Sequence, residues 1–150
     1  MLKCYTRSQV LAAFGWPSVW SAPHQSGVQW NPPHADYLMF VTLDKDEAGF
    51  TERTRYRDYA VSPSVFHWQS PAASHARTKD GRRILGAKEG HGTMWLFVRQ
   101  SRDDEFGSSP FCFMGAFRPT ELQGERPISV IGELAVPLPP AWFEMASRAR

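Results

Sequence analysis

The sequence predicts a small, mainly β domain (α+β) with a short helix near each end. Three observations carry this. The chain has 150 residues, 42% of them hydrophobic and 21% charged, which is the composition of one ordinary globular domain with its own core. Aromatics make up 13% of the chain and prolines number 12, so bulky strand formers are interleaved with many turns. The strand-like runs do not alternate regularly with helices, which argues against a doubly wound parallel sheet. The expected architecture is a mostly antiparallel barrel or strongly bent sheet, forming a single domain over 1–150.

The elements follow in order. Thr6 is placed to cap a helix through Phe14, with Val10 and Phe14 on one face, and Gly15 ends it. Residues 16–36 are rich in Pro, Ser, Gly and His and read as a long loop. The bare run from Tyr37 to Leu43 is short and wholly apolar apart from Thr42, as a buried strand is. Asp44 to Gly49 is a charged turn, and Phe50 to Tyr59 begins as a strand. Ser62-Pro63 predicts one helical turn, after which Phe66 to Gln69 is extended. Ser70 to Gly81 is polar and reads as a loop. Arg82–Ala87 and Thr93–Gln100 then pair as strands about a Gly90-His91-Gly92 turn. Phe111–Arg118 is a further buried strand, and Ile128–Val136 alternates like a half-buried one. Pro139-Pro140 end that strand, and Ala141–Arg148 forms a closing helix.

Several function classes lack support. No apolar run is long enough to span a membrane, and residues 1–7 lack the apolar stretch of a secretory leader, so a cytoplasmic location is expected. Cys4 and Cys112 lie at opposite ends of the chain, a spacing that predicts neither a zinc site nor a disulfide framework; Cys112 reads as core. The five histidines show no metal-ligand spacing, and Asp44, Asp46 and Glu47 match only half a calcium loop. The glycines at 86, 90 and 92 lack the lysine of a phosphate-binding loop, and no Gly-x-Ser-x-Gly elbow is present. No catalytic or metal residue and no cofactor is therefore assigned.

Charge is uneven. The chain carries a net +2, but residues 51–100 hold nine Lys/Arg against four Asp/Glu, with acidic segments on either side. Basic stretches with interleaved aromatics attract phosphate backbones. Within this third, Thr54 to Pro71 concentrates the groups a nucleotide needs. Arg53, Arg55 and Arg57 alternate and would share one strand face. Tyr56, Tyr59, Phe66 and Trp68 supply ring faces, and His67, Gln69 and Ser70 supply directional hydrogen bonds. The expected phosphate contacts are Arg55, Arg57, Arg82 and Arg83, and Arg77 and Lys79 lie in a loop expected to order on DNA. The competing reading is that Phe66 and Trp68 face the core and that Asp58 neutralises an arginine.

Several uncommon blocks occur together in this chain. They are Tyr5-Thr6-Arg7-Ser8-Gln9-Val10-Leu11-Ala12-Ala13-Phe14-Gly15, Phe40-Val41-Thr42-Leu43-Asp44-Lys45, Tyr56-Arg57-Asp58-Tyr59-Ala60-Val61-Ser62-Pro63, Phe66-His67-Trp68-Gln69-Ser70, Leu96-Phe97-Val98-Arg99, Phe113-Met114-Gly115 and Glu125-Arg126-Pro127-Ile128. In this the chain resembles domain-of-unknown-function family 3427. The resemblance implies a C-terminal module of bacterial proteins that carry a phospholipase-D-like nuclease and a helicase, an architecture similar to modification-dependent restriction enzymes. It carries over no catalytic residue.

The resulting expectation is a DNA-binding module that recognises a modified or flipped base, or a modified backbone, and targets a nuclease or helicase in phage defence. The expected fold is similar to PUA- and SRA-like readers, with stacking by Tyr59, Phe66 or Trp68. The alternative is a protein-interaction module docking on such a partner, its aromatics serving as interface anchors. The expected partner is DNA, with a helicase or nuclease as a second one and no membrane.

Overall fold

A computed structural model describes residues 2–15, 27–44, 57–105 and 107–149. In chain order the elements are β1 (Cys4–Tyr5), α1 (Arg7–Ala13), β2 (Val28–Asn31), β3 (Asp36–Thr42), β4 (Tyr59–Ser62), β5 (Val65–Gln69), α2 (Lys79–Lys88), β6 (Thr93–Arg99), β7 (Asp103–Asp104), β8 (Gly107–Ser108), β9 (Phe111–Gln123), β10 (Ser129–Leu134) and α3 (Pro140–Arg148). The main sheet runs β2-β3-β6-β9-β10-β5-β4, with β1 added on β9. Its pairs are antiparallel except β3 with β6.

The mainly β expectation holds, but the barrel does not form. Among the described residues β2 and β4 stand at the two ends of the sheet order, so the sheet is not closed.

β3 shows why its sequence is bare of polar residues. Every position is buried, because helices cover both faces, the usual setting of a parallel pair. Tyr37, Met39 and Val41 point into the larger core with Met94, Leu96 and Val98 of β6 and Ile84 and Ala87 of α2. Leu38 and Phe40 point the other way, to Val10 and Leu11 of α1 and to Phe97 and Phe111. On that side the Arg7 guanidinium lies 4.6 Å from the centre of the Phe40 ring and Arg99 lies 4.3 Å from that of Phe111. Burial, followed by the nearby Arg99 charge, lowers Arg7 to about 10, so it remains a cation at neutral pH.

β9 links the two halves of the sheet. It bulges against β6 at Leu96/Phe97 and against β10 at Ile131/Gly132. Gly115, at a φ of 87°, lies at the first bulge, and Pro119 is accommodated at the second, since a proline cannot donate to a regular ladder. Gly132 faces the Phe117 ring so closely that any Cβ would collide with it.

Thr6 caps α1 as expected, and Gln9 completes a capping box with it. Gln9 N donates to Thr6 Oγ1 at 3.2 Å and Thr6 N donates to Gln9 Oε1 at 2.9 Å. α3 also matches its expected span, with proline at its first position. Four expectations need correction. Arg82–Ala87 is helix, not strand: Thr78 Oγ1 accepts from Gly81 N at 3.1 Å, and Gly81, Ile84 and Ala87 bury one side of α2. The Gly90–Gly92 turn therefore joins α2 to β6 instead of closing a hairpin. Ser62 ends β4 and Pro63 opens the turn to β5, so no helical turn forms there. The long loop contains β2, paired with β3.

The fourth correction concerns the cysteines. β1 pairs with β9 so that Cys4 faces Cys112, and the two form a disulfide. Sequence distance concealed a partner that strand pairing supplies. Cys112 is nevertheless buried, as expected. Disulfides are uncommon in a reducing cytoplasm, so this bond pulls against the expected location. Among the described residues no helix is long and apolar enough to cross a membrane.

Candidate nucleic-acid interface

Arg55 and Tyr56 lie outside the described residues. From Arg57 onward the segment is a hairpin whose polar groups largely serve one another. Arg57 N donates to Gln69 Oε1 at 2.8 Å, and His67 Nδ1 lies 2.7 Å from the Arg57 carbonyl oxygen. A carbonyl only accepts, so Nδ1 carries the proton. Asp58 is 4% exposed and accepts from Gln69 N at 3.0 Å. Gln69 Nε2 donates to Ser129 Oγ of β10 at 3.2 Å. Ser70 is fully buried, and its Oγ accepts from Ile128 N at 2.8 Å while Ser70 N donates to Ile128 O at 3.0 Å. These bonds close the β5–β10 ladder just past its last pair, Gln69 with Ser129.

The rings divide by strand parity. Phe66 and Trp68 are core residues at 0% and 3% exposure, so they present no free face for stacking. Trp68 packs edge-on against Tyr37, 6.1 Å between centres. His67 and Gln69 alternate with them and point away from that core. Tyr59 is half-buried and its ring lies flat on His67, 4.5 Å between centres and 12° between planes.

The second group of candidates lies on α2 and the loop before it. Arg77, Lys79 and Arg82 are exposed. Arg82 Nη2 and Nε donate to the Arg77 carbonyl at 2.8 and 3.1 Å, which fixes one guanidinium above the start of the helix. Arg83 is half-buried, lying 4.5 Å from the centre of the Trp30 ring and 4.0 Å from Asp80. Asp80 also accepts from Tyr37 Oη at 3.1 Å. Burial chiefly, with the Asp80 charge and this hydrogen bond, holds the Tyr37 phenol well above its ordinary range. The acid on the first turn of α2 is thus engaged toward the core, and among the described residues no salt bridge neutralises Arg77, Lys79 or Arg82.

A family model described as a domain of unknown function, DUF3427, matches residues 1–145. The chain belongs to this family. No curated protein matches it. In this DUF3427 domain the described candidate residues do not form one site. Tyr59, His67 and Gln69 point away from the core that Ile84 and Ala87 of α2 help to fill, so the hairpin's polar face and the basic side of α2 are separate surfaces. Sequence reasoning missed the Tyr37–Asp80 bond and the Trp30–Arg83 contact. The detectable signal was Thr78 three residues before Gly81, the spacing of an N-cap. Among the described residues no three His, Cys, Asp or Glu are grouped to hold a metal ion.

Proposed function

We propose that this DUF3427 domain is a DNA-binding module that holds the phosphate backbone through the exposed basic side of α2, and so targets a nuclease or helicase partner. One observation carries the reading. Arg77, Lys79 and Arg82 are exposed together while the neighbouring acid, Asp80, is engaged by Tyr37 and Arg83. Cations left uncompensated on one surface attract a polyanion and release its counterions. The base-flipping form of the reading is weaker. Phe66 and Trp68 are core residues, and the ring left from that set, Tyr59, is already stacked on His67.

The test is a titration of labelled duplexes, unmodified and with modified cytosine, at several salt concentrations. Binding should weaken steeply with salt and differ little between the duplexes. Replacing Arg77, Lys79 and Arg82 with Ala should lower the slope of log affinity against log salt by about 2.7, at about 0.9 per phosphate contact. An unchanged slope in the triple variant excludes this surface. A strong preference for one modified duplex restores the base-reading form.

A further inference from the structure

Between α1 and the face of β6 and β9 lies an open pocket of about 490 Å³. Small-molecule sites commonly measure about 300–1,000 Å³. Phe14, Trp95, Phe97 and Phe113 form its aromatic surface, with Val10, Ala13 and the exposed Tyr5 and Gln9 also lining it. The rings are inclined to one another. Trp95 lies 6.4 Å from Phe14 at 54° and 5.9 Å from Phe113 at 36°. Tilted rings around a space offer both faces and edges to an aromatic guest.

The polar groups here are few and partly committed. Trp95 Nε1 donates to Asp36 Oδ1 at 2.9 Å, and Gln9 Oε1 accepts from Thr6 N at 2.9 Å. Among the described residues no Asp, Glu, Lys, Arg or His lines the pocket. A charged guest would lose hydration without gaining a partner. A nucleobase would find only the Tyr5 hydroxyl and the Gln9 amide for its several donors and acceptors. The walls are also held firmly. The capping box fixes the start of α1, and the disulfide ties β1, which carries Tyr5, to β9, which carries Phe113.

We propose that this pocket binds an uncharged, planar aromatic small molecule. The inference is independent of the nucleic-acid reading, because α1 and α2 pack on opposite faces of β3.

The experiment titrates the oxidised full chain with 1-naphthol, 1-naphthoate and cytidine by calorimetry. Nuclear Overhauser contacts from bound 1-naphthol locate the site. The neutral 1-naphthol should bind at least about tenfold more tightly than the naphthoate anion, cytidine should give no binding, and contacts should appear at Trp95 and Phe113. Ala13→Trp adds an indole from an exposed helix position that borders the pocket, and should weaken 1-naphthol at least about tenfold. Circular dichroism checks that this variant folds, and if it does not, the Overhauser contacts in the parent decide the matter. Absence of saturable 1-naphthol binding, equal affinity for the anion, contacts elsewhere, or a folded Ala13→Trp that binds like the parent overturns the proposal.

Discussion

Replacing Ser70 with Ala separates a structural role for the Phe66–Ser70 block from a contact role. Ser70 Oγ is the acceptor for Ile128 N at 2.8 Å, and it donates to the Pro71 carbonyl at 3.2 Å. Ser70 is 0% and Ile128 5% exposed, so water has little access once the oxygen is gone. The substitution leaves Ile128 N–H a buried donor without its acceptor, at a cost of about 1–3 kcal/mol. At about 2–4 °C per kcal/mol for a chain of this length, the midpoint should fall by about 2–12 °C. Ser129→Ala is the matched control. It removes the acceptor for Gln69 Nε2 at 3.2 Å in a half-buried place that water can reach, so its cost stays at or below about 1 kcal/mol. Thermal unfolding followed by tryptophan fluorescence gives both values on one scale. Equal midpoints for Ser70→Ala and the parent would refute the reasoning. A Ser70→Ala protein that kept its stability but lost DNA affinity would make Ser70 a contact residue instead.

Three further outcomes are expected. The disulfide spans 108 residues, so its removal by Cys4→Ser with Cys112→Ser should cost up to about 4.7 kcal/mol by the chain-entropy argument; equal urea midpoints for variant and parent would contradict it. Gly81→Ala should destabilise the domain although Ala favours helices by up to about 1 kcal/mol, because its Cβ would collide with the His75 backbone carbonyl; a higher melting point by circular dichroism would overturn this. Tyr37 holds its proton more tightly in the folded chain than at its ordinary value of 10.0, so its contribution is full below about pH 10 and is lost as pH rises beyond it. Tyr37→Phe should lose that part of the alkaline decline in melting temperature, and identical pH profiles would count against it.

How much of this was legible depended on whether a signal was local. The bare Tyr37–Leu43 run reads as a buried strand, and Thr6 could cap α1 without help from elsewhere. α2 was misread because only Ile84 and Leu85 are strongly apolar there; the rest of its buried side is Gly81 and Ala87, which carry little hydrophobic signal. The disulfide was invisible because β1 is two residues long and its partner strand begins 106 residues later, so only the folded topology brings the sulfurs together. The arginines of α2 were named, but on a strand, which would have spread them along a sheet edge instead of around a helix start.

The recognisable motif and the candidate contact surface are therefore different parts of the molecule, and energetics explains the division. Asp58, Gln69 and Ser70 are engaged with Gln69 N, Arg57 N and Ile128 N, so turning them toward a ligand would break bonds within the hairpin. A buried group left unmatched costs about 1–3 kcal/mol, comparable to what one good contact returns. Arg77 and Lys79 lie outside that ladder, and a phosphate can meet them while β5 and β10 stay paired. A distinctive block such as Phe66-His67-Trp68-Gln69-Ser70 thus identifies what must be built for the fold to close. The surface proposed to meet DNA lies on α2, whose sequence is the less distinctive of the two.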